Sequence, residues 1–151
     1  NILYNKGAKL IVGGRSVERG KALIDQLGSQ AHFVAGDIKL PETNKNLVNE
    51  AMKQFRGLDQ LVLCAGQLGV GKVDELSVTD WENTIATNLN AVFYLLKYAI
   101  PEMTKSGGAN VARIMLNPRS LGDITLRITM IGNNVKLYIK ADKSEAAEPI
   151  D

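Results

Sequence analysis

Cys64-Ala65-Gly66 closes a short apolar run, Leu58 to Leu63. A run of that kind suits a strand buried on both faces, as in a parallel sheet covered by helices. The small Ala-Gly exit lets the backbone approach a ligand at the strand's carboxyl end, where open α/β sheets bind their ligands. Asn88 follows as a further candidate site residue. No His, Cys, Asp and Glu residues stand at metal-ligand spacing, so no metal site is expected. His32 is the single histidine and reads as structural or exposed, because a catalytic role needs partners. Cys64 is the single cysteine and reads as a small buried filler.

The elements that must hold these residues follow from periodicity. Asn1 to Gly7 is the tail of a helix with Gly7 as its left-handed stop, and Ala8 to Gly14 is a buried strand. Gly13 to Ser16 is a turn, with Ser16 able to cap a helix over Val17 to Leu27 that stops at Gly28. Ala31 to Ala35 is a short strand ended by Gly36-Asp37-Ile38. Pro41 opens a helix to about Phe55, stopped at Gly57, and the Leu58 strand follows. Strand, helix, strand, helix, strand argues for right-handed βαβ units and a parallel sheet.

Thr79 and Glu82 form a capping box for a long helix to about Lys105, inside which Pro101 should kink or end the helix near Ala99. Its stripe of Trp81, Ile85, Leu89, Val92, Phe93, Leu96, Ile100 and Met103 is mostly core. Val111 to Leu116 is a strand. From Asp123 to Ala141 the residues alternate strictly, as in an antiparallel hairpin with one wet face. Its two-residue turn is either Gly132-Asn133 or Asn133-Asn134.

Composition bounds the function. The chain has 151 residues, 45% apolar and 23% charged, with net charge +2. That is ordinary globular composition and excludes a disordered chain. No basic block points to nucleic acid. One cysteine allows no intrachain disulfide, which fits a cytoplasmic setting. The chain starts at Asn1 without an initiator Met, signal peptide or bilayer-spanning run, so it is expected to be cut from something longer.

Residues 7 to about 110 resemble the short-chain dehydrogenase/reductase family. The resemblance is carried by G-A-K-L-I-V-G-G-R-S from Gly7, G-D-I from Gly36, L-V-L-C-A-G from Leu61 and T-D-W-E-N-T-I-A-T-N-L-N-A-V-F from Thr79. It implies an α/β fold, a truncated Rossmann-like parallel sheet, here with the hairpin added. It also implies a dinucleotide cofactor. Arg15 and Ser16 would meet the adenosine ribose, and Arg15, with no acid on the strand end, implies NADP rather than NAD. Asp37 and Ile38 would flank the adenine. Cys64, Ala65 and Gly66 match the family's Asn-Asn-Ala-Gly turn, with Leu63 and Cys64 in place of both asparagines. Asn88 matches the helix asparagine that supports the family's proton relay. Each has a plainer reading: Arg15 as a solvated helix start, Asp37 as a turn cap, Asn88 as structural.

The family's Gly-rich phosphate loop would precede Asn1. Its Tyr-x-x-x-Lys pair is absent: four positions beyond Tyr4, Tyr94, Tyr98 and Tyr138 stand Ala8, Tyr98, Glu102 and Asp142. Residues 112–151 instead resemble the carboxy-terminal domain of the flagellar hook-length control protein, on Leu116, Pro118, Leu121-Gly122, Ile124, Leu126, Ile128, Gly132-Asn133, Val135, Leu137 and Ile139. That resemblance implies contact with the flagellar export apparatus. The expected organisation is a dehydrogenase-like segment over 1–110 and a hairpin segment over 111–151. The leading expectation is a catalytically incomplete dehydrogenase-like chain with at most weak NAD(P) binding and no hydride transfer. The alternatives are a protein-interaction module, or a chimera without selected function. The family's central strand would lie between the strands at Ala8 and Leu58. Those two are therefore expected to pair directly, or strands from 111–141 to fill the gap or extend an edge.

Overall fold

The computed structural model describes residues 2–105, 110–116, 123–131 and 134–142, with side-chain detail over 3–105. The elements in order are α1 (Ile2–Asn5), β1 (Leu10–Gly14), α2 (Val17–Leu27), β2 (Ala31–Ala35), α3 (Pro41–Phe55) and β3 (Gln60–Leu63). Then come α4 (Val78–Ile85), a π-helical turn (Ala86–Asn90), α5 (Ala91–Lys105), β4 (Asn110–Leu116), β5 (Asp123–Ile131) and β6 (Asn134–Asp142). This is the α/β, Rossmann-like arrangement of parallel strands and helices that the sequence implies. The chain divides into two units, Asn1–Leu58 with Phe93–Ser106, and Asp59–Val92 with Gly107–Asp151.

In the first unit β1 and β2 pair in parallel, Leu10 against Ala31 through Gly14 against Ala35. Successive strand residues point to opposite faces, and β2 shows this with two rings. His32 lies against Phe55 of α3, ring centroids 5.5 Å apart. Phe33 lies against α2, where a Cβ on Gly20 would collide with its ring. The two helices therefore cover opposite faces of the pair. Leu27, Ala31, Val48 and Ala51 are buried there, and in α5 so are Ala99 and Met103.

The helix ends follow local chemistry. Gly7, at φ 81°, stops α1, and Gly28, at φ 77°, stops α2 with its N–H on the Ile24 carbonyl. In α3 the stop is not Gly57 but Arg56, held left-handed at φ 56°, ψ 22° with its N–H on the Met52 carbonyl. The helix of residues 91–105 runs through Pro101 to Lys105, as the expected end near Lys105 requires, so of the two effects expected of Pro101 it does not end the helix near Ala99. Proline removes the amide that would serve the Lys97 carbonyl, and Lys97 is exposed, so water can serve it.

In the second unit β3, β4, β5 and β6 form one sheet in that order. β3 and β4 are parallel, and the other pairs are antiparallel. Ile131 opposite Asn134 sets the hairpin register with Gly132 and Asn133 between them, and those two lie outside the described residues. The strands after residue 110 thus extend one edge of β3. Among the described residues no ladder joins β1 to β3, and none of β4 to β6 pairs with β1. The direct pairing of the strands at Ala8 and Leu58 is therefore not found among the described residues.

Two further expectations change. β3 is not buried on both faces: Leu61 is 6% exposed but Val62 is 42% exposed. The helix cap is Ser77, not Thr79. The Ser77 Oγ accepts from the Asp80 N–H at 3.0 Å, and its hydroxyl donates to Asp80 Oδ2 at 2.7 Å. One serine therefore does what the Thr79–Glu82 box was expected to do, and the helix begins at Val78.

Candidate functional site

The sequence-derived site residues fall into two groups, each within its own unit. In the first, Gly14 and Ala35 are paired last residues of parallel strands, and the Gly36 N–H donates to the Gly14 carbonyl at 2.9 Å. The turns carrying Arg15-Ser16 and Asp37-Ile38 therefore leave from adjacent carboxyl ends. Arg15 is exposed. Ser16 caps α2, its Oγ accepting from the Arg19 N–H at 3.3 Å, which leaves its O–H to donate elsewhere.

Asp37 caps its own turn. Its Oδ1 accepts from the Lys39 N–H at 3.0 Å, and the Lys39 ammonium stands 3.7 Å from Oδ2. Ile38 is half-buried, and its carbonyl is held by a residue that periodicity did not single out. Asn44 is 1% exposed and donates from Nδ2 to the Ile38 carbonyl at 2.6 Å and the Leu40 carbonyl at 2.9 Å. A buried amide in an otherwise apolar helix face needs such partners, and that was the available signal. Gly36 is required by close approach, since a Cβ there would fall 2.6 Å from Thr43 Oγ1.

In the second unit Cys64, Ala65 and Gly66 follow β3 and are all exposed. Cys64 is not the buried filler its type suggested. It continues the strand's alternation on the side of Val62, two residues earlier, and that side is uncovered. Asn88, in the π-helical turn, reaches the next residue of this loop. The Gln67 N–H donates to Asn88 Oδ1 at 2.9 Å, and Asn88 Nδ2 donates to the Gln67 carbonyl at 2.7 Å. Thr84, one helical turn before, accepts from the Gly69 N–H at 3.0 Å. Its place four residues from Asn88, on the same helix side, was the legible sign.

Among the described residues no three His, Cys, Asp or Glu side chains gather where they could hold a metal. No helix among them is long and apolar enough to cross a membrane.

Known proteins resemble this chain in sequence and in fold. An uncharacterized oxidoreductase from Thermotoga maritima is 34% identical over 112 residues, 72% of this chain and 44% of the relative. A 2,5-dichloro-2,5-cyclohexadiene-1,4-diol dehydrogenase from Sphingobium indicum is 31% identical over 112 residues, 72% of this chain and 45% of that protein. A short-chain dehydrogenase/reductase structure from Saccharomyces cerevisiae superposes with a TM-score of 0.68 at 30% identity, covering 76% of this chain and 45% of its own. The chain thus spans less than half the length of these relatives. The short chain dehydrogenase family model matches residues 1–115, more than two thirds of the 151, and the chain belongs to that family.

Proposed function

We propose that residues 1–110 form a dinucleotide-binding segment that holds NADP weakly, and that these 151 residues carry out no hydride transfer. The observation that carries the binding half is the adjacency of the Arg15-Ser16 and Asp37-Ile38 turns at paired strand ends. An exposed guanidinium beside a free hydroxyl donor suits a ribose 2′-phosphate. The residues fit the adenosine end of such a cofactor: Arg15 would supply the charge, Ser16 a donor, and Asp37 and Ile38 the flank of the base. The family resemblance is what assigns Cys64, Ala65 and Gly66 to the cofactor as well, and within their own unit Asn88 holds that turn's exit. When bound, NADP would supply hydride chemistry. No tyrosine in the sequence has a lysine four residues on, so the usual proton donor and its pKa-lowering partner are lacking here.

A thermal-shift titration tests the binding. NADPH should raise the melting temperature and NADH should not, because a ligand of the native state stabilises it. NADPH-dependent turnover of any carbonyl compound by the 151-residue chain would overturn the inactive half.

A second reading concerns residues 111–151, taken as a separate hairpin segment of the flagellar hook-length control type, joined to the first as a chimera. Its support is the antiparallel β4-β5-β6 ladder, whose Ile128–Leu137 and Leu126–Ile139 pairs set apolar residues opposite one another. It predicts a stable complex with a flagellar export component, or self-association through the helix of residues 79–105, where Trp81 and Leu89 are exposed. Light scattering after size exclusion distinguishes monomer, oligomer and complex. A chimera without selected function would unfold with poor cooperativity and bind neither ligand nor partner. A cytoplasmic setting belongs to the same proposal.

A further inference from the structure

Thr84 uses its hydroxyl twice. It donates to the Asp80 carbonyl at 2.7 Å and accepts from the Gly69 N–H at 3.0 Å. Asn88, on the same helix side, holds both backbone groups of Gln67. Loop residues two apart are thus fastened by helix residues four apart. The spacings agree: two extended residues advance about 6.6 Å, and four helical residues about 6 Å. The earlier loop residue meets the later helix residue, so Gln67 to Gly69 runs antiparallel to the helix.

The seat at Gly69 is tight. A Cβ there would stand 3.1 Å from Leu76, 3.2 Å from Asp80 and 3.3 Å from Thr84. Asp80, whose carbonyl takes the Thr84 proton, is itself tied to Ser77 at the helix cap. Beyond Gly69 the side chains turn outward, with Val70 85% and Val73 97% exposed. The anchoring is therefore concentrated on the three residues that leave Gly66.

We infer that Thr84 is a positioning residue, which holds Gly69 on the helix and, with Asn88, fixes the backbone leaving the Cys64–Gly66 turn in the shape that receives the ligand. The ligand's identity rests on the dinucleotide reading above; the positioning can be read without ligand. Valine at 84 keeps the shape and removes both hydrogen-bonding functions, whereas serine keeps them.

The test is amide exchange followed by NMR on the 151-residue chain. Thr84→Val should speed exchange at Gly69 by about tenfold or more, and at Gln67 by less, while Thr84→Ser stays near the unsubstituted chain. Gly69→Ala, which lifts the loop from the other side, should speed exchange at Gln67. The NADPH-induced rise in melting temperature should fall by at least half in Thr84→Val and recover in Thr84→Ser. Unchanged exchange at Gly69 and Gln67 in Thr84→Val overturns the inference, as does an NADPH response equal in all variants. No NADPH response in the unsubstituted chain removes the dinucleotide reading instead, and the exchange rates alone then decide the positioning.

Discussion

Asn88 and Gln67 exchange two hydrogen bonds, amide group to peptide group, across 21 residues of sequence. The pairing needs one donor and one acceptor on the same side chain, which asparagine has and aspartate lacks. Asn88→Asp should therefore lose the bond to the Gln67 carbonyl and cost about 1 kcal/mol, and Asn88→Leu about 1–3 kcal/mol. Urea midpoints at constant slope measure both, and equal midpoints for all three chains would show that the pair contributes nothing.

Asn44 should matter more, because it is buried and its partners are loop carbonyls. Asn44→Leu keeps the volume but leaves both carbonyls without that donor, at about 2–4 kcal/mol. Asn44→Asp should be worse at neutral pH, where a carboxylate would face two carbonyls, and should recover in part as acid protonates it. A stability profile against pH for the aspartate variant checks the sign.

Gly20→Ala ordinarily favours a helix by roughly 0.5–1 kcal/mol. Here the new Cβ would meet the Phe33 ring, so the substitution should instead destabilise by about 1–3 kcal/mol. Combining it with Phe33→Leu should cost less than the sum of the two single changes, as a double-mutant cycle would measure.

The position of the helix cap gives a contrast between neighbours. Ser77→Ala should cost about 0.5–2 kcal/mol by removing the acceptor for the Asp80 N–H. Thr79→Ala should stay within about 0.5 kcal/mol, as expected of a surface change away from a cap. The reverse order in thermal unfolding would restore the Thr79–Glu82 box.

On α3 the Gln54 side chain donates to Glu50 Oε1 at 2.6 Å. That bond, with the Lys53 charge beside it, holds the Glu50 carboxyl below its ordinary range. A lowered folded-state pKa adds stability that is present above the unfolded value and is lost as pH falls through the folded value. Gln54→Leu should raise the Glu50 pKa in an NMR titration and shrink that acid-side loss, with no change at pH 7 in the protonation state of Glu50.

Local pattern alone determined where α2 and α3 begin and the class of the sheet. Ser16 before Val17, Gly28 after Leu27 and Pro41 at the start of α3 act within one turn of their own residue, so α2 and α3 were legible. So was β2, and so was the hairpin, whose strict alternation leaves little choice of apolar face. The four sequence stretches from Gly7, Gly36, Leu61 and Thr79 likewise pointed to the family without any fold in view. What depended on tertiary structure was burial and pairing. Val62 and Cys64 carry core-like residue types, yet both are exposed, because burial depends on what covers a strand face rather than on the residues in it. Whether β3 would pair with β1 or with β4 could not be read from apolar runs that suit either neighbour. Ser77 displaced Thr79 as the cap because both are hydroxyl residues one turn from an acid, and only the backbone path chooses between them. Asn88 was found from its motif, but its partner Gln67 was not, since a bond spanning 21 residues has no local signature and exists only once the loop lies along the helix.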